Sequence, residues 1–210
     1  MHRVTHLENY LNSGKCFHTT VQDNISATGK FGSGKLRGVC FRVSYEWLVA
    51  TWKGRAFDLG TLDGETVYRK QLTYLDEADT LRGLGYDAWF RNANSLSQTT
   101  LQLWGQPHGH ACAPPLSSAN LATLNVFAAD GQGNPPDMAA IIGFFGDQQQ
   151  LWGHATAYCC RNDVPQCFDI NDGIYVFSAQ DERPAEMQRW IRAQYCTTDK
   201  IRDFVVYPIY

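Results

Sequence analysis

The sequence predicts an α+β fold in which helices come first and an antiparallel sheet follows. From Val39 onward the chain places apolar residues at helical spacing, whereas its last third carries short β-branched and aromatic runs separated by turn residues. Helical segments followed by successive strands are typical of α+β domains. We therefore expect a layer of helices packed on a C-terminal antiparallel sheet.

The first predicted helix begins at Cys40. Residues 1–37 are polar and rich in Gly, Ser, Thr and Asn, and we interpret them as a loop-rich lead-in. Within CFRVSYEWLVATW, the apolar residues at helical spacing include Val39, Val43, Trp47 and Ala50. Gly54 then favours the end of a helix of about four turns.

A second helical region is predicted from about Glu65 to Phe90. YRKQLTYLDEADTLRGL mixes charged residues with leucines three and four positions apart, and the glycines of GLG at 83–85 interrupt it. The sequence pattern of residues 92–115 is ambiguous and predicts no single type of secondary structure.

The last third predicts a meander of antiparallel strands. The strand candidates are AAIIGFFG, LWGHATAYCC, QCFDI and IYVF, with turns at GDQQQ and NDG. Pro184 is typical of a first helical turn and precedes the predicted helix AEMQRWIRAQY. FVVYPIY then predicts a closing strand.

Length, charge and segment hydropathy narrow the function classes. A chain of 210 residues suits one domain, so we expect a single catalytic domain over 1–210. The net charge of -3 and the scattered basic residues argue against nucleic acid as a partner. The segment MHRVTHLENYLNSGKC has no apolar stretch of signal-peptide length, so we expect no signal-peptide export, and no later window approaches an apolar run of about 20 residues. We expect a soluble protein with no membrane span.

The cysteines are interpreted as mostly reduced thiols. Seven is an odd number, and their spacing is irregular in a chain too large to need disulfides. One group weighed as a zinc site comprises Cys159, Cys160 and Cys167. A second group comprises His108, His110 and Cys112. Because neither group has a full ligand set with useful spacing, we interpret them as buried small residues and an exposed loop, and expect no metal or cofactor.

Cys40 is the candidate nucleophile. A thiol attacks as the thiolate, and the unpaired N–H groups and dipole of a helix N-terminus favour that charge. Gly38 permits close approach of the backbone, and the Cys40 N–H can face a developing oxyanion. The alternative interpretation of Cys40 is a buried structural thiol.

His154 and Asp169 are the candidate base and orienting carboxylate. His154 lies in a strand-like segment beside Gly153 and Ala155, where small neighbours leave room for another side chain. Asp169 lies on the next predicted strand, so a hairpin brings it alongside the imidazole. The alternatives are a core histidine with a satisfied hydrogen bond and an Asp that only forms the following turn.

Three segments resemble the YopT-type cysteine proteases of bacterial effectors, a branch of the papain-like superfamily. GVCFRVSYEWL is similar to that family's Gly-x-Cys and the helix after it. GHATA is similar to its His-Ala strand, and FDINDGIYVF to its Phe-Asp-x-Asn-x-Gly turn and strand. The resemblance covers about Gly38 to Trp52 and Ala139 to Phe177. It implies a papain-like fold and a catalytic triad of Cys40, His154 and Asp169.

Two points of the resemblance stay open. Ile170 stands where this pattern often has Pro, which leaves the triad intact and the subfamily undecided. The side-chain donor to the oxyanion is assigned to Gln22 by residue type, because an amide can donate a hydrogen bond, with Asn24 and Ser33 as alternatives.

The leading functional hypothesis is a cysteine protease that acts as a secreted effector or toxin. A glutamine deamidase, an acyl transferase or a peptidoglycan peptide hydrolase would use the same thioester chemistry. A non-catalytic binding module is the alternative of another class. The expected partners are a protein or peptide substrate, a secretion-system component, and an immunity or inhibitor protein. The expected location is the bacterial cytoplasm, followed by signal-peptide-independent delivery into a target cell.

Overall fold

In the computed structural model, the described residues are 16–20, 39–58, 61–104, 116–117, 138–146, 151–162, 164–177, 190 and 201–209. The helices are α1 (Cys40–Trp52), α2 (Gly64–Ala78), a 3-10 helix (Asp79–Leu84) and α3 (Tyr86–Leu103). The strands are β1 (Cys16–Thr20), β2 (Leu116–Ser117), β3 (Met138–Gly146), β4 (Trp152–Arg161), β5 (Val164–Asp169), β6 (Gly173–Phe177) and β7 (Ile201–Ile209).

All these strands belong to one antiparallel sheet in the order β1-β6-β5-β4-β3-β7-β2. The predicted meander from β3 to β6 is present, because each of these strands pairs directly with the next one in sequence. β7 joins the other side of β3, so β3 lies inside the sheet. The predicted α+β architecture, with helices before a C-terminal antiparallel sheet, is confirmed.

β3 is buried along its whole length because the sheet is covered on both faces. Its residues alternate between two apolar clusters. The cluster on the helix side includes Ala139, Ile141 and Phe145, together with Ala155, Ala157 and Cys159 of β4. The cluster on the other side includes Ala140, Ile142 and Phe144, together with Tyr158 and Cys160. A strand that is covered on both faces has a continuous apolar sequence, and AAIIGFFG of β3 is such a sequence.

The helix boundaries differ from the prediction after α1. The predicted start of α1 at Cys40 and its end before Gly54 are confirmed. The second helical region is interrupted at the predicted glycines, because α2 gives way to the 3-10 helix and Gly85 adopts a φ of 93° before α3. Its predicted end near Phe90 is wrong, because α3 continues to Leu103. A left-handed φ breaks a right-handed helix, and glycine adopts it without steric cost.

Two further segments bear on the prediction. The lead-in 1–37 contains β1, which pairs with β6 from Cys16 opposite Phe177 to Thr20 opposite Gly173. Main-chain hydrogen bonds to β6 define β1, and its sequence has no apolar periodicity from which a strand could be predicted. The predicted helix after Pro184 lies outside the described residues except for Trp190, which is helical and fully buried. None of the helices within the described residues has the length and hydropathy of a membrane-spanning segment.

Candidate active site

The thiol of Cys40 stands at the first residue of α1. The residue before it, Val39, supplies the carbonyl that accepts the Val43 N–H at 2.9 Å, and no side chain of Val39 caps the helix. N–H groups in the first turn of a helix lack intrahelical acceptors and carry the positive end of the helix dipole. The half-buried Cys40 side chain therefore lies where negative charge is favoured.

α1 is fastened to both strands that carry the other two candidates. The buried Ser44 hydroxyl donates to the carbonyl of Ala155, the residue after His154, at 3.1 Å. One turn further, Trp47 stacks on Phe168, the residue before Asp169, with ring centroids 5.4 Å apart and an interplanar angle of 13°. Each contact fixes α1 against a backbone position next to a candidate site residue.

His154 and Asp169 are hydrogen-bonded neighbours. His154 lies on β4, Asp169 is the last residue of β5, and these strands pair antiparallel. The His154 Nε2 atom is 3.0 Å from Asp169 Oδ1, and their side chains are only 12% and 1% exposed. An Asp at this nitrogen orients the imidazole and stabilises its protonated form.

Asp169 also forms the turn that follows β5. Its Oδ1 accepts the Asn171 N–H at 2.9 Å, and its carbonyl accepts the Asp172 N–H at 3.1 Å. The turn-forming alternative is therefore present together with the hydrogen bond to His154. Because the Asn171 N–H of this turn binds the Asp169 carboxylate, the turn positions that carboxylate in the absence of substrate.

The electrostatics of the site favour a charged thiolate and imidazolium. Burial acts to raise the pKa of the Cys40 thiol, but the hydrogen bond and charge of His154 and a hydrogen bond from the Ala155 backbone outweigh burial and the charge of Asp169, so that this pKa falls below 9.0. Burial acts to lower the pKa of His154, yet the charge and hydrogen bond of Asp169, with those of Cys40, raise it well above 6.5. Cys40 and His154 stabilise each other's charged forms.

A cavity of about 240 Å³ opens beside Cys40 and His154. Its walls come from α1, α2, the 3-10 helix and α3, and from strands β3, β4 and β7 of the sheet. The apolar and aromatic lining residues include Phe41, Tyr74, Trp89, Phe145, Trp152 and Tyr207. An enclosed apolar space with a few polar groups next to reactive side chains is the usual form of a small-molecule or side-chain binding site.

Gln71 links α2 to the start of α1. Its Oε1 accepts the main-chain N–H of Arg42 at 2.7 Å, which supplies the capping acceptor that Val39 does not provide. Gln71 is 1% exposed and lines the cavity, and its Nε2 has no hydrogen-bond partner among the residues that the structure describes. The Gln71 side chain thus ties α2 to the first turn of α1.

The remaining predicted candidates fall in two groups. Those outside the described residues are Gln22, Asn24, Ser33, His108, His110 and Cys112. Cys159, Cys160 and Cys167 are buried thiols rather than disulfides. The described residues hold no group of three or more potential metal ligands. Cys159 and Cys160 face opposite sides of the sheet, as their adjacency in a strand predicts.

The residues of α2 and α3 that line the cavity were not among the site residues predicted from the sequence. One signal was present: the buried stripe of α2 runs through Val67 and Gln71, so a polar residue occupies an apolar position. Ser97 occupies the corresponding place in the buried stripe of α3, where its hydroxyl bonds Tyr74 at 2.9 Å. A polar residue on a buried helix face is a candidate for a role in a site, because a buried polar group requires a hydrogen-bond partner.

The comparison with solved structures finds a protein of similar fold. The chain is similar to the Pseudomonas avirulence protein AvrPphB, with 17% sequence identity, a TM-score of 0.55, and coverage of 82% of this chain and 91% of that one. No protein-family model matches the chain. No curated protein sequence matches it either. At this identity the likeness shows the fold alone, and the papain-like α+β fold predicted from the sequence is confirmed by it.

Proposed function

We propose that the chain is a thiol-nucleophile hydrolase, a cysteine protease in which Cys40, His154 and Asp169 form the catalytic triad. The observation that carries the proposal is the convergence of these three side chains at the N-terminus of α1, with the pKa of the thiol lowered and that of the imidazole raised. Perturbed titration of interacting groups beside a cavity marks a reactive site.

The first chemical step forms a thioester. The Cys40 thiolate attacks the carbonyl carbon of a peptide bond, so that an S–C bond forms and the carbonyl oxygen becomes an oxyanion. The main-chain N–H of Cys40, at the N-terminus of α1, is the donor proposed to stabilise that charge. The His154 imidazolium donates its proton to the leaving nitrogen as the C–N bond breaks.

Water completes the reaction. Neutral His154 takes a proton from a water molecule, whose oxygen adds to the thioester carbon. The S–C bond then breaks, which releases a carboxylic acid and restores the Cys40 thiolate and the His154 imidazolium. Asp169 holds the ring orientation through both steps and stabilises the imidazolium. The overall change is the hydrolysis of one amide bond by one water.

The setting proposed for this activity is that of a bacterial effector. The fold likeness to an avirulence protein supports it, together with the YopT-type resemblance of the three sequence segments. The substrate is then a protein of the target cell. A secretion-system component and an immunity or inhibitor protein are the further partners that this setting implies. We also propose that residues 1–210 act as one catalytic domain, because a single sheet takes strands from Cys16 to Ile209.

The experiment compares wild-type protein with Cys40→Ala on a lysate of candidate target cells. New protein N-termini are labelled chemically and identified by mass spectrometry. New termini with wild type and none with Cys40→Ala support a cysteine protease. A gain of about one mass unit at glutamine identifies deamidation by the same thiol.

Thermal unfolding of both proteins is the folding control. Cys40 is half-buried, so its truncation to Ala should change the melting temperature little. Equal cleavage by wild type and a folded Cys40→Ala protein contradicts the proposal.

A further inference from the structure

A hydrogen bond crosses the mouth of the cavity beside Cys40. Deep in the cavity wall, Ser97 and Tyr207 are each 1% exposed, whereas the Arg82 side chain is 40% exposed. Arg82 therefore marks the solvent end of the helical wall. Its Nη1 donates at 2.7 Å to the carbonyl of Leu151, the half-buried residue that lines the opposite wall just before β4.

Building on the proposed function, we propose that the hydrogen bond from Arg82 to Leu151 is a clasp, which keeps polypeptides out of the cavity until it opens. Cys40 and His154 line the same cavity, so a chain that reaches the thiol by this mouth passes the clasp. The space enclosed is about 240 Å³, less than the about 300–1,000 Å³ of ordinary ligand clefts. A polypeptide that continues on both sides of the scissile bond needs a longer groove.

The 3-10 helix that carries Arg82 is suited to move. None of the residues Asp79–Leu84 is buried, and Leu81 and Leu84 are 37% and 74% exposed. The helix is followed by Gly85, whose φ of 93° separates it from α3. Segments with few buried apolar contacts open at low free-energy cost, and a residue between two elements can absorb the change in dihedral angles. The 3-10 helix can therefore shift without disrupting the core.

Other contacts hold the 3-10 helix to α3. Trp89 Nε1 donates to Asp79 Oδ1 at 3.1 Å, and Arg82 Nη2 donates to the same oxygen at 3.0 Å. The Arg82 guanidinium also lies over the Trp89 ring, 5.6 Å from its centroid. Because these contacts stay on the helical side of the cavity, they keep Arg82 at the mouth. The hydrogen bond to the sheet side is the contact that opening breaks.

The closed state is only weakly stabilised by this clasp. A single hydrogen bond from a partly exposed guanidinium contributes little net free energy. The Arg82 Nε is buried and has no hydrogen-bond partner within the part of the chain that the structure describes, which offsets part of that contribution. A polypeptide that binds the open form can therefore shift the equilibrium towards it.

The test compares two reagents with the same reactive group on the full chain. Iodoacetamide is small, whereas a glycine–alanine peptide that carries an iodoacetamide group on a central diaminopropionate has main chain on both sides of that group. In each case the Cys40 thiolate displaces iodide, so that an S–C bond forms and a C–I bond breaks. Intact mass spectrometry and peptide mapping give the rates of Cys40 modification. The readout is the rate with the peptide reagent divided by the rate with iodoacetamide.

Arg82→Met removes every donor of the clasp and keeps most of the side-chain volume. The rate ratio should rise about 2- to 10-fold, the factor by which the loss of one such hydrogen bond shifts an equilibrium. Amide hydrogen exchange of residues 79–84 should also become faster, with that of β3 unchanged. Arg82→Gln, whose shorter side chain cannot span the same distance, is the second variant and should raise the ratio as well. Because Arg82 is two-fifths exposed, the fold should tolerate both changes.

The matched control is Arg69→Met. Arg69 is 76% exposed and pairs with Glu65 on α2, outside the cavity. Its rate ratio should equal that of the wild type. An unchanged or lower ratio in both Arg82 variants overturns the clasp, including the case in which both reagents slow equally and Arg82 only positions the start of β4.

The outcome also separates this inference from the proposed function. If iodoacetamide modifies Cys40 in preference to the other thiols but the ratio does not rise in the Arg82 variants, the clasp fails and the thiol chemistry stands. If iodoacetamide shows no preference for Cys40, the proposed function fails, whereas faster amide exchange of residues 79–84 in Arg82→Met still supports the clasp.

Discussion

Replacing Asp169 with Asn removes a negative charge from the His154 hydrogen bond and leaves an acceptor oxygen in place. In the wild-type site, Oδ1 is 3.0 Å from His154 Nε2 and also accepts the Asn171 N–H at 2.9 Å. The Asn side-chain oxygen can keep both hydrogen bonds. The variant therefore changes the charge of the site far more than its geometry.

The magnitude follows from the charge of the lost interaction. A hydrogen bond to a charged group contributes about 1.5–3 kcal/mol, and a neutral one about 1 kcal/mol. The difference of about 0.5–2 kcal/mol corresponds to about a 2- to 30-fold smaller population of the thiolate–imidazolium pair. The charge of Asp169 also acts weakly to raise the Cys40 pKa, so its removal offsets part of this loss.

The assay is the rate at which iodoacetamide alkylates Cys40, followed by mass spectrometry across the pH range below 9.0. The wild-type thiol should react at pH values well below its ordinary pKa of 9.0, because its pKa is lowered. In Asp169→Asn the rate at pH values below 9.0 should fall about 2- to 30-fold, and in His154→Ala it should fall further. Asp87→Asn, on an exposed side chain paired with Arg202, is the isosteric control. An unchanged profile in Asp169→Asn, or a loss equal to that of His154→Ala, refutes this reasoning.

Three further predictions concern the supports of the site. Ser44→Ala removes the donor to the Ala155 carbonyl of β4 and should lower the free energy of unfolding by about 1 kcal/mol, or the melting temperature by about 2–4 °C. An unchanged melting curve and alkylation rate would show that this hydrogen bond does not position α1. Gln71→Leu leaves the Arg42 N–H without its acceptor, so the free energy of unfolding measured in urea should fall by about 1–3 kcal/mol and Cys40 alkylation should be slower. Stability and reactivity equal to those of the wild type would contradict the capping role of Gln71. His154 should titrate well above 6.5 by NMR, with the imidazolium present below its raised pKa and lost above it, and titration at or below 6.5 would count against the ion pair.

The parts of the fold that the sequence predicts are those decided by local pattern. Helical spacing over CFRVSYEWLVATW places the start of α1, and continuous apolar runs place β3 and β4. The pairing of β4 with β5 follows from a short turn, so the neighbourhood of His154 and Asp169 is also predictable. These elements are specified by residues close together in the chain.

The remaining features depend on contacts between distant segments. β7 pairs with β3, more than fifty residues earlier in the chain, and β1 pairs with β6 across most of the chain. The cavity takes residues from four helical segments as well as the sheet, so no single run of sequence predicts it. Gln71 meets Arg42 across 29 positions, and its role follows only from the packing of α2 on α1.

The central claim is that Cys40 forms a covalent acyl intermediate. A mixture of N-acetyl amino acid nitrophenyl esters, apolar and charged, is added to wild type, Cys40→Ala and His154→Ala, and intact masses are recorded within the first turnover. The account predicts an acyl adduct on wild type that maps to Cys40 and is released by hydroxylamine, with none on folded Cys40→Ala and much slower formation on His154→Ala. An adduct that maps to another residue, or one that forms equally fast without Cys40, would contradict it.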